Sequence, residues 1–345
     1  MSAAEYAVLT QTVEGALADV PATDPRAAWD VLESLGMTRV GIPEDRGGSG
    51  GSWQEAAIIL RAMAAVSADA PLVETSWGAG WLLAAAGLDV PAEPLSVVPL
   101  DALASRRSDG AYVVTGRVDG IGAAALARGL VVMLPQDGPG SMIALIDAGR
   151  VQVVPGETIA GTSRDAVEFH DLVLSPAELT PAPVSYRDVA LRMSVAMLAQ
   201  AVGAADRAER LSIEYVTTRV QFGRALSKFQ AVQHRVARLA AAARFLHTAS
   251  TTAVDVLSRD EDDSSAFLVV VSLVAAHEAI GEVAAQAHQL HGAIGFTQEH
   301  ALHRSTTRLW TWRQELSDGR RWITELADAL PGRAPADAWA QISLD

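Results

Sequence analysis

The sequence predicts an α+β protein in three parts: an N-terminal helical domain over residues 1–90, a middle antiparallel β domain over 91–182 and a C-terminal four-helix bundle over 183–345. Three textures predict it. Short amphipathic runs at helical spacing occupy the first part, and alternating apolar runs cut by turn residues occupy the second. Long Ala/Leu-rich segments joined by short connections occupy the third. With 345 residues, half of them hydrophobic, the chain can bury a core without covalent staples.

In the first part, Ala27 to Leu35 has helical spacing and stops at Gly36, and Gln54 to Val66 repeats the pattern. Between them, Ile42-Pro-Glu-Asp-Arg-Gly-Gly-Ser-Gly-Gly51 is too rich in glycine for a helix. No Gly-Lys-Ser/Thr follows, so it reads as an inter-helix turn rather than a phosphate loop. In the second part, Ala111–Thr115, Leu130–Leu134, Met142–Ile146 and Val151–Val154 read as strands, with turns at Asp109-Gly110 and Asp137–Gly140. The Gly120-Ile-Gly122 stretch is followed within a few residues by another strand. That leaves no room for the crossover helix of a dinucleotide-binding unit. Past a proline-marked linker, Pro176 to Pro183, helices are expected at about 187–217, 228–258, 264–290 and 299–329. The acidic run Asp260–Ser265 reads as a solvated turn between two of them.

The chain has no cysteine, which excludes disulfides and thiolate chemistry and fits a reducing, cytoplasmic setting. Neither a signal peptide nor a membrane span is evident. A formal charge of −14 without a Lys/Arg cluster argues against nucleic acid. An anionic substrate would need a local basic patch. His288, His291, His300 and His303 are close in sequence, but only the last two have helix-compatible ligand spacing, so no metal site is expected.

Two segments carry the most information: Arg219-Val-Gln-Phe-Gly-Arg-Ala-Leu-Ser-Lys-Phe-Gln230 and Gln289-Leu-His-Gly-Ala-Ile-Gly-Phe296. Together with Leu35–Gly51, the Asp109–Gly116 hairpin and the order of the three parts, they resemble the acyl-CoA dehydrogenase family over almost the whole chain. The N-terminal domain is shorter than usual for that family.

The resemblance implies FAD and the α,β-dehydrogenation of an acyl-CoA thioester, with an electron-transferring flavoprotein reoxidising the flavin. It also implies that Arg219, Phe222 and Gln230 reach across a subunit interface to the nucleotide end of a partner's FAD. Gln289 and Gly292 would let the backbone approach the same portion, with Ala293 in place of a frequent glycine. A guanidinium suits pyrophosphate oxygens because it offers rigid donors and a permanent charge. The competing reading is that Arg219 pairs with a surface carboxylate while Phe222 and Phe229 merely pack.

The family's other functional positions are altered. One position of the base glutamate falls on Leu316, with Glu315 one residue away, about 100° round a helix and a weak candidate base. Glu315 reads otherwise as a surface glutamate near Arg313. The alternative base position falls on Met193 and Ser194. Where family members carry a tryptophan and a threonine against the flavin ring, this chain has Gly120 and Gly122, expected to leave room for a bulky acyl group if they face the cleft.

The resemblance is therefore closest to the degenerate subunit of an α2β2 heterotetrameric, steroid-CoA type dehydrogenase, partnered by a catalytic paralogue. The alternatives are a self-sufficient homotetramer with an atypical base and a non-catalytic scaffold.

Overall fold

The computed structural model describes residues 2–100, 103–107, 109–135, 140–259, 263–317 and 320–329. The expected turn at 137–139 and the core of the acidic loop, 260–262, lie outside the described residues. The elements in chain order begin with α1 (Ala3–Leu17), α2 (Pro25–Ser34) and α3 (Trp53–Ala65). A π-helix, Val73–Gly80, runs directly into the short α4 (Trp81–Ala85). Eight strands follow: β1 (Leu95–Pro99), β2 (Ala104–Arg106), β3 (Tyr112–Gly122), β4 (Gly129–Leu134), β5 (Ser141–Asp147), β6 (Gln152–Val154), β7 (Arg164–Leu174) and β8 (Thr180–Ala182). Then come α5 (Tyr186–Thr218), a hairpin of β9 (Val220–Gln221) and β10 (Arg224–Ala225), α6 (Gln230–Leu257), α7 (Asp263–His291), α8 (Leu302–Ser317) and α9 (Arg320–Ala329). The fourth expected bundle segment thus comprises two helices.

The chain divides into two compact units. One contains Asp19–Ala56 and Ala68–Met193, and its strands form two four-stranded sheets ordered β1-β4-β5-β8 and β2-β3-β7-β6. All pairings are antiparallel except β1 with β4, which is parallel. The run Leu130-Val-Val-Met-Leu134 is buried throughout because β4 is covered on both faces. Leu130, Val132 and Leu134 pack into one core with Val98, Tyr112, Val114 and Phe169. Val131 and Met133 join the other core, with Ile42, Leu82, Leu83 and Val189. A continuous apolar run is what a strand covered on both faces requires.

Two glycines in β3 have local structural roles. Register shifts fall between Val114 and Gly116 and between Val118 and Ile121, and Gly116 and Gly120 have φ of +132° and +77°. A β-bulge often needs such a left-handed backbone, which only glycine adopts without cost.

The glycine loop after α2 is likewise committed to its own turns. Gly41 N–H donates to Gly50 O, Gly48 N–H to Pro43 O, Ser49 N–H to Arg39 O and Gly50 N–H to Ile42 O. A Cβ at Gly48 would lie 2.0 Å from Ile42 O, so the turn closes only without a side chain. These amides are used inside the turn and are not free to cradle a phosphate.

The other unit contains Met1–Ala18, Ala57–Ser67 and residues from Ser194 onward. α1 begins with a capping box in which Ser2 and Glu5 bond to each other's backbone amides. Gly203 in α5 lets the helix lie against the backbone of α3, since a Cβ there would be 2.0 Å from Arg61 O. Arg61 donates from Nε to Asp206 Oδ2 at 2.8 Å, and its Nη1 lies 2.7 Å from His247 Nε2, joining α3, α5 and α6. Two segments, Tyr186–Thr218 and Ala266–Phe296, are long and apolar enough to cross a bilayer. Of their most apolar windows, 78% and 44% are buried inside the fold.

Candidate cofactor site

The Arg219 segment forms a β-hairpin that the sequence reading did not anticipate. β9 and β10 pair Gln221 with Arg224 and Val220 with Ala225, leaving Phe222 and Gly223 as the two turn residues. Their φ values are +52° and +78°. A two-residue turn with both φ positive matches the twist of the flanking strands. Such a backbone costs a phenylalanine on the order of 1–3 kcal/mol. The strain holds Phe222 at the tip, 88% exposed. Behind it, Phe229 meets the Phe222 ring edge-on at 6.1 Å, and Arg224 lies 4.1 Å over Phe229.

Arg219 sits at the hairpin's base, where its amide still closes the last turn of α5 on Tyr215 O at 2.9 Å. Its side chain is exposed and has no ion pair among the described residues. That disfavours the reading in which Arg219 serves a surface carboxylate. Gln230, also exposed, opens α6, whose N-cap Phe229 supplies no side-chain acceptor. Val232 and Gln233 donate to Phe229 O, so the amides of Gln230 and Ala231 at the start of this 28-residue helix are left for solvent or an anion.

Gln289 is exposed in the last turn of α7. Gly292 follows with φ +64°, the left-handed residue that ends the helix and starts a 3-10 turn to Phe296. Gly295 is needed for a different reason, since a Cβ there would lie 2.9 Å from His291 Cβ and 3.1 Å from Leu302 Cδ2. Ala293 has neither a positive φ nor burial, so its side chain is accommodated there.

The two motifs lie at the same end of the helical unit. Tyr215, one helical turn before Arg219, stacks on His291 at 4.7 Å, while His300 approaches Tyr215 at 6.2 Å and His291 at 4.6 Å. His288 stacks on Phe296 at 4.2 Å, and its Nε2 lies 3.0 Å from Thr306 Oγ1. These histidines serve as flat packing pieces, and burial holds His288 and His291 below the ordinary imidazole pKa.

The positions suited to acid–base work are differently placed. Leu316 is buried, and Glu315 lies half-buried in the last turn of α8. Arg313 donates from Nε to His277 O at 3.1 Å against Gly281. In the other unit, Met193 packs its sulfur 3.1 Å from where a Cβ on Gly78 would be. Beside it, the Arg192 guanidinium is buried 4.3 Å over Trp53 and 4.4 Å over Trp81. Ser194 is 6% exposed.

The space expected beside Gly122 is filled. A Cβ there would be 2.3 Å from Glu74 Oε1, because the π-helix turns the Glu74 carboxylate into that position. Ser96 Oγ fixes the same strand by donating to Gly122 O at 2.6 Å. The room expected beside Gly122 is therefore occupied by Glu74, a residue the sequence reading did not single out. A single acid in an apolar stretch was its one signal.

Residues 7–89 match the family description "Acyl-CoA dehydrogenase, N-terminal domain" and residues 190–312 match "Acyl-CoA dehydrogenase, C-terminal domain". Acyl-CoA dehydrogenase IpdE2 of Mycobacterium tuberculosis is 31% identical over 278 residues, which is 80% of this chain and 77% of that protein. Among solved structures, a chain of the ChsE4-ChsE5 complex from M. tuberculosis is similar with a TM-score of 0.84 at 22% identity, over 97% of this chain and 99% of that one. A variant of the Tcur3481-Tcur3483 steroid ACAD gives 0.79 at 21% identity, over 94% and 96%. At these identities the two structures speak for the fold.

Proposed function

The chain belongs to the acyl-CoA dehydrogenase family, and on that premise we propose that it is the FAD-completing, non-catalytic subunit of a heteromeric acyl-CoA dehydrogenase. Family membership makes it a component of oxidoreductases that act on the CH–CH bond of acyl-CoA thioesters, and it implies FAD. When bound, FAD supplies the acceptor for the hydride lost from the acyl β-carbon.

The residues present fit the nucleotide end of this cofactor. Arg219 brings a guanidinium with no ion pair among the described residues, Gln230 a carboxamide at a helix N-terminus, and Gln289 and Gly292 an exposed helix end with little side-chain bulk. Phe222 would pack its exposed ring over the same group. These side chains would bind and orient diphosphate and ribose oxygens, and none of them moves a proton. The positions that would have to move one are Leu316, Met193 and Ser194, which cannot abstract an α-proton from a thioester.

One observation carries the proposal. The cofactor-motif side chains are presented outward at one end of the helical unit, while the base positions hold the buried Leu316 and Ser194 and the half-buried Met193, none of them a carboxylate. Outward presentation suits a site completed on a neighbouring subunit. A paralogous catalytic subunit in an α2β2 assembly supplies the base, the ring contacts and the substrate pocket. An electron-transferring flavoprotein then reoxidises the assembly. One structural neighbour comes from the ChsE4-ChsE5 complex and the other from a steroid ACAD, which favours a heteromeric assembly acting on a bulky, ring-bearing CoA ester.

The half-buried Glu315 favours a second reading, a self-sufficient homotetramer in which it is the base. Expression of the chain alone and with an adjacent dehydrogenase-like subunit separates the readings by visible spectrum and acyl-CoA-dependent dye reduction. The heteromeric reading predicts flavin and turnover only on co-expression, with Glu315→Gln leaving turnover in the complex nearly unchanged. Yellow, active chain alone, inactivated by Glu315→Gln at intact flavin content, supports the homotetramer instead. No flavin under either condition supports a scaffold.

A further inference from the structure

Two buried histidines join the cofactor motifs from inside the helical unit. His288 and His291, 9% and 3% exposed, stand near the C-terminal end of α7. His291 stacks on Tyr215 of α5 at 4.7 Å, and the Tyr215 carbonyl accepts from the Arg219 amide at 2.9 Å. The same rings shape the turn that follows α7. A Cβ on Gly295 would lie 2.9 Å from His291 Cβ and 3.4 Å from His288 Nδ1, and Phe296 stacks on His288 at 4.2 Å. The Arg219 segment and the Gln289–Phe296 segment therefore meet through these two rings.

Each ring carries one proton in a fixed place. His291 Nδ1 lies 2.8 Å from Ala287 O, which can only accept, so Nδ1 donates and Nε2 is bare. His288 Nε2 lies 3.0 Å from Thr306 Oγ1, whose own hydrogen is directed to Leu302 O at 3.3 Å, so Nε2 donates and Nδ1 is bare. Both bare nitrogens are buried and have no hydrogen-bond partner among the described residues. A second proton on either ring would bury a charged N–H without an acceptor, which an interior tolerates poorly. The titratable groups that face His291 are Tyr215 from α5, His300 from just before α8, at 4.6 Å, and His288 on its own helix. His288 faces Phe296, Thr306 and Trp310. Burial lowers the pKa of both rings, and at His291 the carbonyls of Ala287 and Leu211 oppose it while the charges of His300 and His288 add to it.

We infer that His288 and His291 form an acid-sensitive latch on the cofactor motifs: neutral, they hold the Arg219 hairpin and the Gln289–Phe296 turn together, and on taking up protons they let the two segments part and release the nucleotide end of FAD. The release step rests on the reading above, in which these segments contact that cofactor. An opened latch exposes both rings, whose ordinary pKa is 6.5, and the closed form sits below that value. The latch is therefore closed above about pH 6.5 and opens as the pH falls through it. A ligand that binds only the closed form opposes proton uptake, so its affinity falls over the same range.

The test has two arms. In the assembled enzyme, flavin released into the filtrate is read by fluorescence between about pH 7.5 and about pH 5.5. Retention should weaken about tenfold or more in the wild type, and much less in His291→Phe, which keeps a ring against Tyr215 and cannot be charged. Arg219→Ala at the higher pH reports separately whether these segments contact flavin. In the full chain alone, amide hydrogen exchange corrected for its intrinsic pH dependence needs neither cofactor nor variant. Residues 220–225 and 292–296 should lose protection together over the same pH range. Flavin loss in Arg219→Ala, with acid-independent retention in the wild type, overturns the latch and leaves the cofactor reading standing. Retention untouched by Arg219→Ala removes the cofactor reading and the release step with it. Protection that stays constant in either segment, or falls in one without the other, overturns the latch itself.

Discussion

Arg219 illustrates how exposure assigns a role. A guanidinium exposed and without an ion pair among the described residues contributes little to folding, so Arg219→Ala should leave the melting temperature of the chain unchanged. In the assembled enzyme the same change should weaken FAD retention roughly tenfold or more, read by flavin fluorescence released on dilution. Gly122 makes the opposite case. Gly122→Ala should destabilise the fold by about 1–3 kcal/mol, because the new methyl meets the Glu74 carboxylate. Combined with Glu74→Ala, the cost should fall below the sum of the two single changes in denaturant unfolding. The buried histidines set an acid limit. Burial keeps His288 and His291 neutral in the folded state, whereas the unfolded chain takes up their protons near pH 6.5. Their contribution is therefore intact above that pH and is lost as pH falls through it. Melting temperature should drop between about pH 7 and pH 5, and His291→Phe, which keeps a ring against Tyr215, should flatten the drop.

Among the elements, those whose pattern answers to one dominant force were readable. Helices α2, α3, α5, α6 and α7 stand within about two residues of their expected ends, because apolar spacing and flanking glycines report burial directly. Strand β4 was visible as an unbroken apolar run for the same reason. The π-helix was not, since its extra residue per turn answers to close packing around Gly78 and Gly80 and leaves no periodicity in the sequence. Helix α1 was overlooked although Ser2 and Glu5 spell a capping box. The Phe222-Gly223 turn was hidden by its first residue, because phenylalanine rarely adopts positive φ. Of the candidate cofactor residues, sequence motifs named the side chains and the structure supplied their exposure. The meaning of Gly120 and Gly122 was not legible, because a glycine's reason lies in its neighbours. A bulge calls for the first and the Glu74 carboxylate for the second.

For the whole molecule, the central claim is that cofactor contacts and catalysis reside on different chains. The outward cofactor motifs and the carboxylate-free base positions are the observations that support this proposal. The most direct measurement is the flavin content of the purified chain alone and of its complex with a catalytic paralogue, by visible absorbance against protein mass. The account predicts a colourless chain alone and a complex carrying one flavin for each pair of unlike subunits. A chain that purifies alone with stoichiometric flavin and dehydrogenates an acyl-CoA would contradict it.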